Sequence, residues 1–378
     1  MTKHLVNIVL NNFTNDSRVL KEALTQERMG FKVTVCALHS EGLPFQEKRG
    51  EILIDRQDIG RAKMPKGKFF GLLIYIKLIF MVIRKYRKAD VWHCNDLEPL
   101  VIAWLAKIFN RKLTVIYDAH EYTRERNGRT GLLKWLVAKI EPVVIKCADE
   151  VITVSDGIVK EYKRLYNLEQ VHLIRNAPHK KTEVKKMDLF RSKFSIPKEN
   201  TIFLYQGAFT FGRGIDLLVD AFSELKSESV SLVFLGGGLL THKVEAAAKE
   251  HDNVHYHPGV PYEEIINYSS SADYGLNSVE NICLSYYYCL PNKLFEYMQA
   301  GIPIITTPLF DCMKVIKEWE VGIIIEDFTV EAFKKAFIHA HKTSSVDFLE
   351  NLKKAGEYFN WENEEKKLVE IYSPYLNE

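Results

Sequence analysis

Short apolar runs alternate along the chain with longer stretches whose apolar residues recur every three or four positions. That alternation of strand and helix predicts parallel sheets covered by helices on both faces. In the first half the expected strands are Leu5 to Leu10, Val33 to Ala37, Asp90 to His93, Leu113 to Tyr117, Glu150 to Val154 and Val171 to Ile174. The pattern restarts at Thr201 to Tyr205 and runs on through Ser231 to Leu235, Asn253 to Tyr256, Asp273 to Leu276, Ile304 to Thr306 and Gly322 to Ile325. Two doubly wound α/β domains are therefore expected, 1–185 and 186–358, joined within the lysine-rich segment Asn176 to Asn200. Within 359–378, Trp361 to Tyr375 reads as an amphipathic helix with Leu368, Ile371 and Tyr372 on one side.

With 378 residues, 47% hydrophobic and 26% charged, the chain is large enough for two separate cores. The net charge of +2 hides an asymmetry: residues 1–175 carry 30 Lys and Arg against 20 Asp and Glu, and the remainder 21 against 29. A basic first half favours an anionic substrate or membrane surface. No nucleic-acid motif accompanies the charge, so nucleic acid is not the expected partner. The six cysteines form no Cys-x-x-Cys pair, and the N-terminal run turns polar too soon for a signal peptide, so the expected location is cytoplasmic. Phe69 to Ile83 is apolar except for Gly71 and Lys77 and is flanked by basic RAKMPKGK and RKYRK. It is too short for the ~20 residues of a membrane span, which leaves two readings: a helix buried against the sheet, or peripheral contact with the inner face of a membrane.

The most informative stretch is Leu290 to Thr307, LPNKLFEYMQAGIPIITT. Pro291 suits a first helical position, and Gly301 then Pro303 end the helix before a strand. Lys293 in the first turn adds a positive charge to free backbone N–H groups, which suits a phosphate, and Glu296 one turn on can accept from a vicinal diol. A solvated Lys and Glu on an ordinary helix is the competing reading. QGAFTFGRGIDLL also follows a strand and opens a helix: Gly207, Gly212 and Gly214 let backbone approach a ligand, and Arg213 can meet a diphosphate bidentately. Gly236 to Gly238, with Gly237 central, lacks the spacing of a dinucleotide fingerprint.

In the first half, NNFTNDSR follows the first strand. Asp16 or Asn15 can cap the next helix, and Arg18 in its first turn suggests a compensating anion, with an ion pair as the alternative. Asp96 is expected to cap the helix after its strand. YDAHE ends another strand, where His120 can exchange hydrogen bonds with a ligand hydroxyl and Glu121 can contact a ligand or fix the histidine. His120-Glu121 is not HExxH, and His255 and His257 lack further ligands nearby, so no metal site is expected.

The run Asn292 to Pro303 resembles the signature of retaining glycosyltransferases of the GT-B fold, family 4, with weaker likeness at YDAHE and GRGID. The resemblance implies two Rossmann-like domains facing a central cleft, the first for acceptor and the second for nucleotide sugar, and a last helix crossing back to the first domain. It implies a nucleotide diphosphate sugar as donor, a glycan or lipid-linked acceptor and no cofactor, with a place in bacterial surface polysaccharide synthesis as its usual setting. Glu296 then holds the donor ribose, with Gly207, Gly212, Gly237 and Leu294 also on the donor side and His120 near the reacting carbon. Asp16 and Glu121 fall on the acceptor side.

Three departures matter. The family's earlier Glu is Tyr288 here, which makes Glu280 the nearest replacement. The first of its two phosphate cations is Ala208, which leaves Arg213 and shifts weight to Lys293. A Gly-Gly pair is absent after the first strand, and Arg18 is its candidate substitute. No Asp-x-Asp occurs, so the cation role at the diphosphate falls to the protein. Two other readings remain. A nucleotide-sugar 2-epimerase would isomerise donor without acceptor, and a two-domain binding protein would release no nucleotide diphosphate.

Overall fold

The computed structural model describes residues 2–60, 68–181, 183, 185–226 and 228–376. The chain divides into two compact units, Met1–Ile174 with Glu365–Glu378, and Arg175–Glu364.

The first unit holds eight strands among the described residues: β1 (His4–Ile8), β2 (Lys32–Leu38), β3 (Gln46–Arg49), β4 (Ile52–Gln57), β5 (Val91–Asn95), β6 (Thr114–Ala119), β7 (Glu150–Thr153) and β8 (His172–Leu173). Their order is β3-β4-β2-β1-β5-β6-β7-β8, with every pair parallel except β3 with β4. All six strands expected in this half form. The two that the pattern missed, β3 and β4, make a hairpin at the sheet edge. β3 is wholly polar, as an unpaired edge tolerates, and β4 buries Asp55, Arg56 and Gln57 beside Ile52 and Ile54. Those groups are satisfied locally: Arg56 donates to the carbonyls of Asn12 and Pro44 and to Glu47.

The second unit has β9 (Thr201–Ala208), β10 (Val230–Gly237), β11 (Val254–Pro258), β12 (Tyr274–Asn277), β13 (Ile304–Thr306) and β14 (Gly322–Ile324), all parallel, in the order β11-β10-β9-β12-β13-β14. Side chains alternate across the sheet as the strand period requires. Phe203 and Tyr205 enter one core with Phe222, Phe234 and Phe337. Ile202 and Leu204 enter the other with Leu294, Tyr297 and Phe359.

Strand order reverses between β1 and β5 in the first unit and between β9 and β12 in the second. At such switch points the connections leave in opposite directions and open a crevice beyond the strands' carboxyl ends. The helix Trp361–Tyr372 is divided between the units. Trp361 donates its N–H to Pro178 and Glu364 pairs with Arg175 in the second, whereas Glu365 and Tyr372 bond Thr25 and Gln26 in the first.

The basic flank RAKMPKGK, expected at a membrane surface or beside a buried helix, falls mostly on residues 61–67, outside the described residues. The apolar helix forms as Lys68–Tyr86, but only part of it is buried: Leu78, Val82 and Tyr86 are covered, while Leu72, Leu73, Ile76 and Phe80 are exposed. No helix among the described residues is long and apolar enough to cross a membrane.

Gly275 of β12 lies against the Tyr297 ring, and a Cβ there would sit 2.3 Å from ring carbons. The ring cannot yield, because its hydroxyl donates to the Leu204 carbonyl (3.1 Å) and accepts the Gln206 N–H (3.2 Å). Gly275→Ala should therefore destabilise the protein by ~1–3 kcal/mol through overpacking, read as a lower urea midpoint; an unchanged midpoint contradicts this account.

Candidate active site

At the first switch point a cavity of about 340 Å³ is lined by Asn11, Asp16, Asn95, Asp96, His120 and Arg126, among others. Asp16 caps the helix Ser17–Arg28, accepting from the Val19 N–H (3.2 Å) and from Asn11 (2.7 Å). Asp96 stands at the cap position of the helix Leu97–Phe109 but does not cap it. Its Oδ1 instead accepts the His120 N–H at 3.2 Å, with the backbone at φ 72°, ψ 178°, a region that costs a non-glycine residue strain. The cap expected from sequence is thus replaced by a strut between two strand ends.

His120 is held by Asn95 Oδ1 (3.0 Å) and Asp118 Oδ2 (3.2 Å) at Nε2. Burial works against a charged imidazole, but the Asp118 and Asp96 carboxylates outweigh it and push its pKa up to about 9. At neutral pH the ring is an imidazolium that donates only. Glu121 pairs with Arg126 (2.5 Å), a cavity residue that no sequence signal marked.

Arg18 does not point to the crevice. It is 3% exposed, forks onto both Asp118 oxygens (2.8 Å each), donates to the Ile174 carbonyl (2.9 Å) and lies 3.1 Å from Glu22. The donor-phosphate role expected of it is corrected: helix Ser17–Arg28 presses it into the sheet, where its anion is Asp118. Glu22, His93 and Asp118 lie close enough together to ligate a cation. The Arg18 guanidinium, however, already sits against both carboxylates.

At the second switch point the loops after β9 and β12 are clamped together. Glu280 donates its N–H to the Gly212 carbonyl (3.0 Å), Ser278 Oγ donates to the Arg213 carbonyl (2.7 Å), and a Cβ on Gly214 would lie 2.3 Å from the Ser278 carbonyl oxygen. Gly214, at φ 70°, is the cap of helix Ile215–Glu224. Gly237, exposed at the end of β10, accepts the Phe209 N–H and ties the β10 turn to the same loop.

The helix Asn292–Ala300 starts one residue after Pro291 and ends at Gly301, whose left-handed backbone (φ 70°) turns its N–H onto Met298 and Tyr297 carbonyls. Lys293 and Glu296 lie three residues apart, on one side of it. Glu296 accepts from Gln206 Nε2 (2.5 Å), and Gln206 accepts in turn from Ser269 (2.6 Å). Tyr262, not anticipated from sequence, lies near enough that the Glu296 charge adds to burial in raising its phenol.

Lys293 is 8% exposed and its Nζ has no hydrogen-bond partner among the described residues. The ammonium sits 3.8 Å over the Tyr205 ring, and a Cβ on Gly207 would lie 4.0 Å from it. Burial first, then the Arg213 charge, lowers its pKa to about 7, with Glu296 opposing. Arg213 lies over the Tyr286 ring at 4.8 Å, which leaves the guanidinium's edges available. Arg213 and Lys293 are therefore near enough for their charges to oppose each other. Leu294 is corrected: its side chain is fully buried in the core and its N–H is spent on the Pro291 carbonyl, so it offers a donor nothing. Tyr288 packs on Tyr287 and Phe310.

Two doubly wound parallel-sheet units, the first with a polar cavity at its switch point and the second with glycine turns, Arg213 and Lys293 beside its own, define a protein of the GT-B class. The family model "Glycosyl transferases group 1" matches residues 186–358, and "Glycosyltransferase Family 4" matches residues 18–177. The chain belongs to these group 1, family 4-like glycosyltransferases. No curated protein matches it by sequence. Sucrose-phosphate synthase from Thermosynechococcus elongatus is similar in structure over 99% of both chains (TM-score 0.81, 18% identity). HepE from Anabaena, solved with UDP, is similar over 98% of this chain and 100% of its own (0.73, 12%). WaaG, a glycosyltransferase involved in lipopolysaccharide biosynthesis, is similar over 97% and 99% (0.71, 16%). At these identities the likeness is one of fold.

The His120 ring should titrate near pH 9 by NMR, well above its ordinary 6.5. Because the folded value is the higher one, the stabilisation is complete below the unfolded value and is lost as pH rises through about 9. A midpoint at the ordinary value contradicts the carboxylate cage.

Proposed function

We propose that this glycosyltransferase moves a sugar from a nucleotide diphosphate donor, a UDP-sugar, to a hydroxyl of a glycan or lipid-linked acceptor, with retention of anomeric configuration and without a metal ion. The observation that carries the reading is the buried, unpartnered ammonium of Lys293 beside Arg213 and the Gly207 turn. Burying a cation without a counter-charge is costly. A diphosphate would remove that cost for two cations at once.

In this reading the second unit holds the nucleotide. Glu296, fixed by Gln206, accepts from the ribose diol, and the glycine turns after β9 and β10 admit the diphosphate. Glu280 is anchored where it can reach the donor sugar. As the sugar–oxygen bond breaks, negative charge grows on the leaving diphosphate and positive charge on the sugar. Fixed cations at the diphosphate, already oriented, stabilise that separation. The acceptor hydroxyl adds to the anomeric carbon on the face that the phosphate leaves, and its proton passes to the departing phosphate oxygen. The first unit takes the acceptor, with Asp16 and Asp96 accepting from sugar hydroxyls and His120 donating. The UDP in HepE supports uridine as the base, and WaaG, involved in lipopolysaccharide biosynthesis, supports a bacterial surface glycan as product.

Calorimetry with UDP and with uridine tests the assignment. Lys293→Met should weaken UDP by about tenfold or more, the scale of a lost charged hydrogen bond, and leave uridine unchanged; equal losses on both remove Lys293 from the phosphate. With a free pKa of about 7, Lys293 should take up a proton when UDP binds at mildly alkaline pH. The binding enthalpy of the wild type, but not of Lys293→Met, should then depend on the buffer's ionisation heat. Glu296→Ala should weaken UDP and uridine alike by about tenfold, and unchanged uridine binding would falsify the ribose role.

A further inference from the structure

Three successive helices of the first unit carry their apolar residues on the outside. Helix Lys68–Tyr86 exposes Leu72, Leu73, Ile76 and Phe80, the last by 71%. Helix Leu97–Phe109, packed against it, exposes Trp104, Ile108 and Phe109. The third, Gly131–Val144, packs on the second and is turned outward most strongly: it buries only Val137, Glu141 and Val144, and exposes Leu132, Leu133, Trp135, Leu136, Ile140 and Val143. A helix on a water-facing surface normally does the reverse. Exposed apolar faces on adjacent elements mark a surface that meets something apolar.

The charges on the same helices say what that is. The three segments carry seven Lys and Arg against two Glu. Of those two, Glu141 is fully buried and accepts from Tyr117, Tyr162 and Tyr166, and Glu98 is paired with Arg129. Lys77, Arg84 and Lys139 are exposed among the apolar residues, as is Lys134, which pairs with Glu125 of the preceding turn at 2.8 Å. Long basic side chains beside an apolar face can lay their stems along hydrocarbon and keep their heads at anionic phosphates. Trp104 and Trp135 suit the boundary between the two, where an amphipathic ring is stable.

We infer that the three-helix face Lys68–Tyr86, Leu97–Phe109 and Gly131–Val144 docks the protein on an anionic phospholipid bilayer, inserting its apolar residues at the headgroup level. None of the three helices crosses the membrane; they lie in its surface. The inference does not depend on the transferase reading, since none of the exposed residues lines the cavity at the first switch point or belongs to the second unit. The helix Gly131–Val144, absent from any sequence motif, supplies the largest share.

Vesicle co-sedimentation tests it, using phosphatidylcholine with and without phosphatidylglycerol at low and high salt. The wild type should bind only the anionic vesicles and be released by salt. Trp135→Ser with Leu136→Ser should weaken binding about tenfold or more, and Lys134→Glu with Lys139→Glu should do the same at low salt, given about one kcal/mol for each basic residue at such a surface. An unchanged far-UV circular dichroism spectrum and urea midpoint in both variants show that they are folded. No vesicle binding by the wild type, or equal binding by wild type and variants, overturns the inference. So does a concentration-dependent dimer in light scattering that the Trp135→Ser, Leu136→Ser variant dissolves while vesicles capture neither protein, because the face is then a protein interface.

Discussion

The Arg18–Asp118 pair is the contact around which the first unit's crevice is built. A guanidinium and a carboxylate removed from water cost several kcal/mol each unless their geometry is good and their remaining groups are bonded. Here Arg18 forks onto both Asp118 oxygens, reaches Glu22 and ends on the Ile174 carbonyl. The same Asp118 carboxylate, held well below the usual carboxylate range by these partners against the pull of burial, also keeps His120 protonated. One buried ion pair thus joins the first helix, β6 and the end of β8, and sets the charge of the ring that faces the cavity.

The second unit handles its buried charge in the opposite way. Lys293 is also buried, 8% exposed against 3% for Arg18, but nothing among the described residues bonds its ammonium. Glu296, on the same helix, is occupied by Gln206. The helix Asn292–Ala300 is packed too tightly for Lys293 to escape to solvent: every residue from Lys293 to Ala300 is buried. Stability lost by an unpaired cation is the kind of cost that binding sites carry and that an anionic ligand offsets. The contrast separates a buried charge whose partners the fold supplies from one whose partner it does not.

The fold was largely legible in the sequence because buried parallel strands are continuous apolar runs, and twelve such runs are strands here. The β3–β4 hairpin was not, because an edge strand needs no apolar face and β4 alternates only briefly before Asp55-Arg56-Gln57. Glu296, Lys293, Arg213 and His120 could be singled out as residue types at strand ends and helix starts. Arg18 and Leu294 could not be sorted the same way. A cation in a helix's first turn looks identical in sequence whether it meets a ligand or a carboxylate a hundred residues away, and Leu294 shares its helix with two ligand candidates while pointing into the core.

What the sequence by itself determined is the local part: where the strands and helices lie, which turns are tight enough to need glycine, and which ionisable groups sit beside those turns. Only the tertiary structure decided their state of charge and their freedom. The Asp118 carboxylate that keeps His120 protonated is two residues away in sequence, yet its own ionisation depends on Arg18, and the isolation of Lys293 depends on Tyr205, Arg213 and the burial of its helix. The outward face of Gly131–Val144 belongs to the same class of fact, since an apolar stripe has the same period whether it is turned inward or outward. Periodicity is a property of neighbours along the chain, whereas burial and electrostatic potential are sums over neighbours in space.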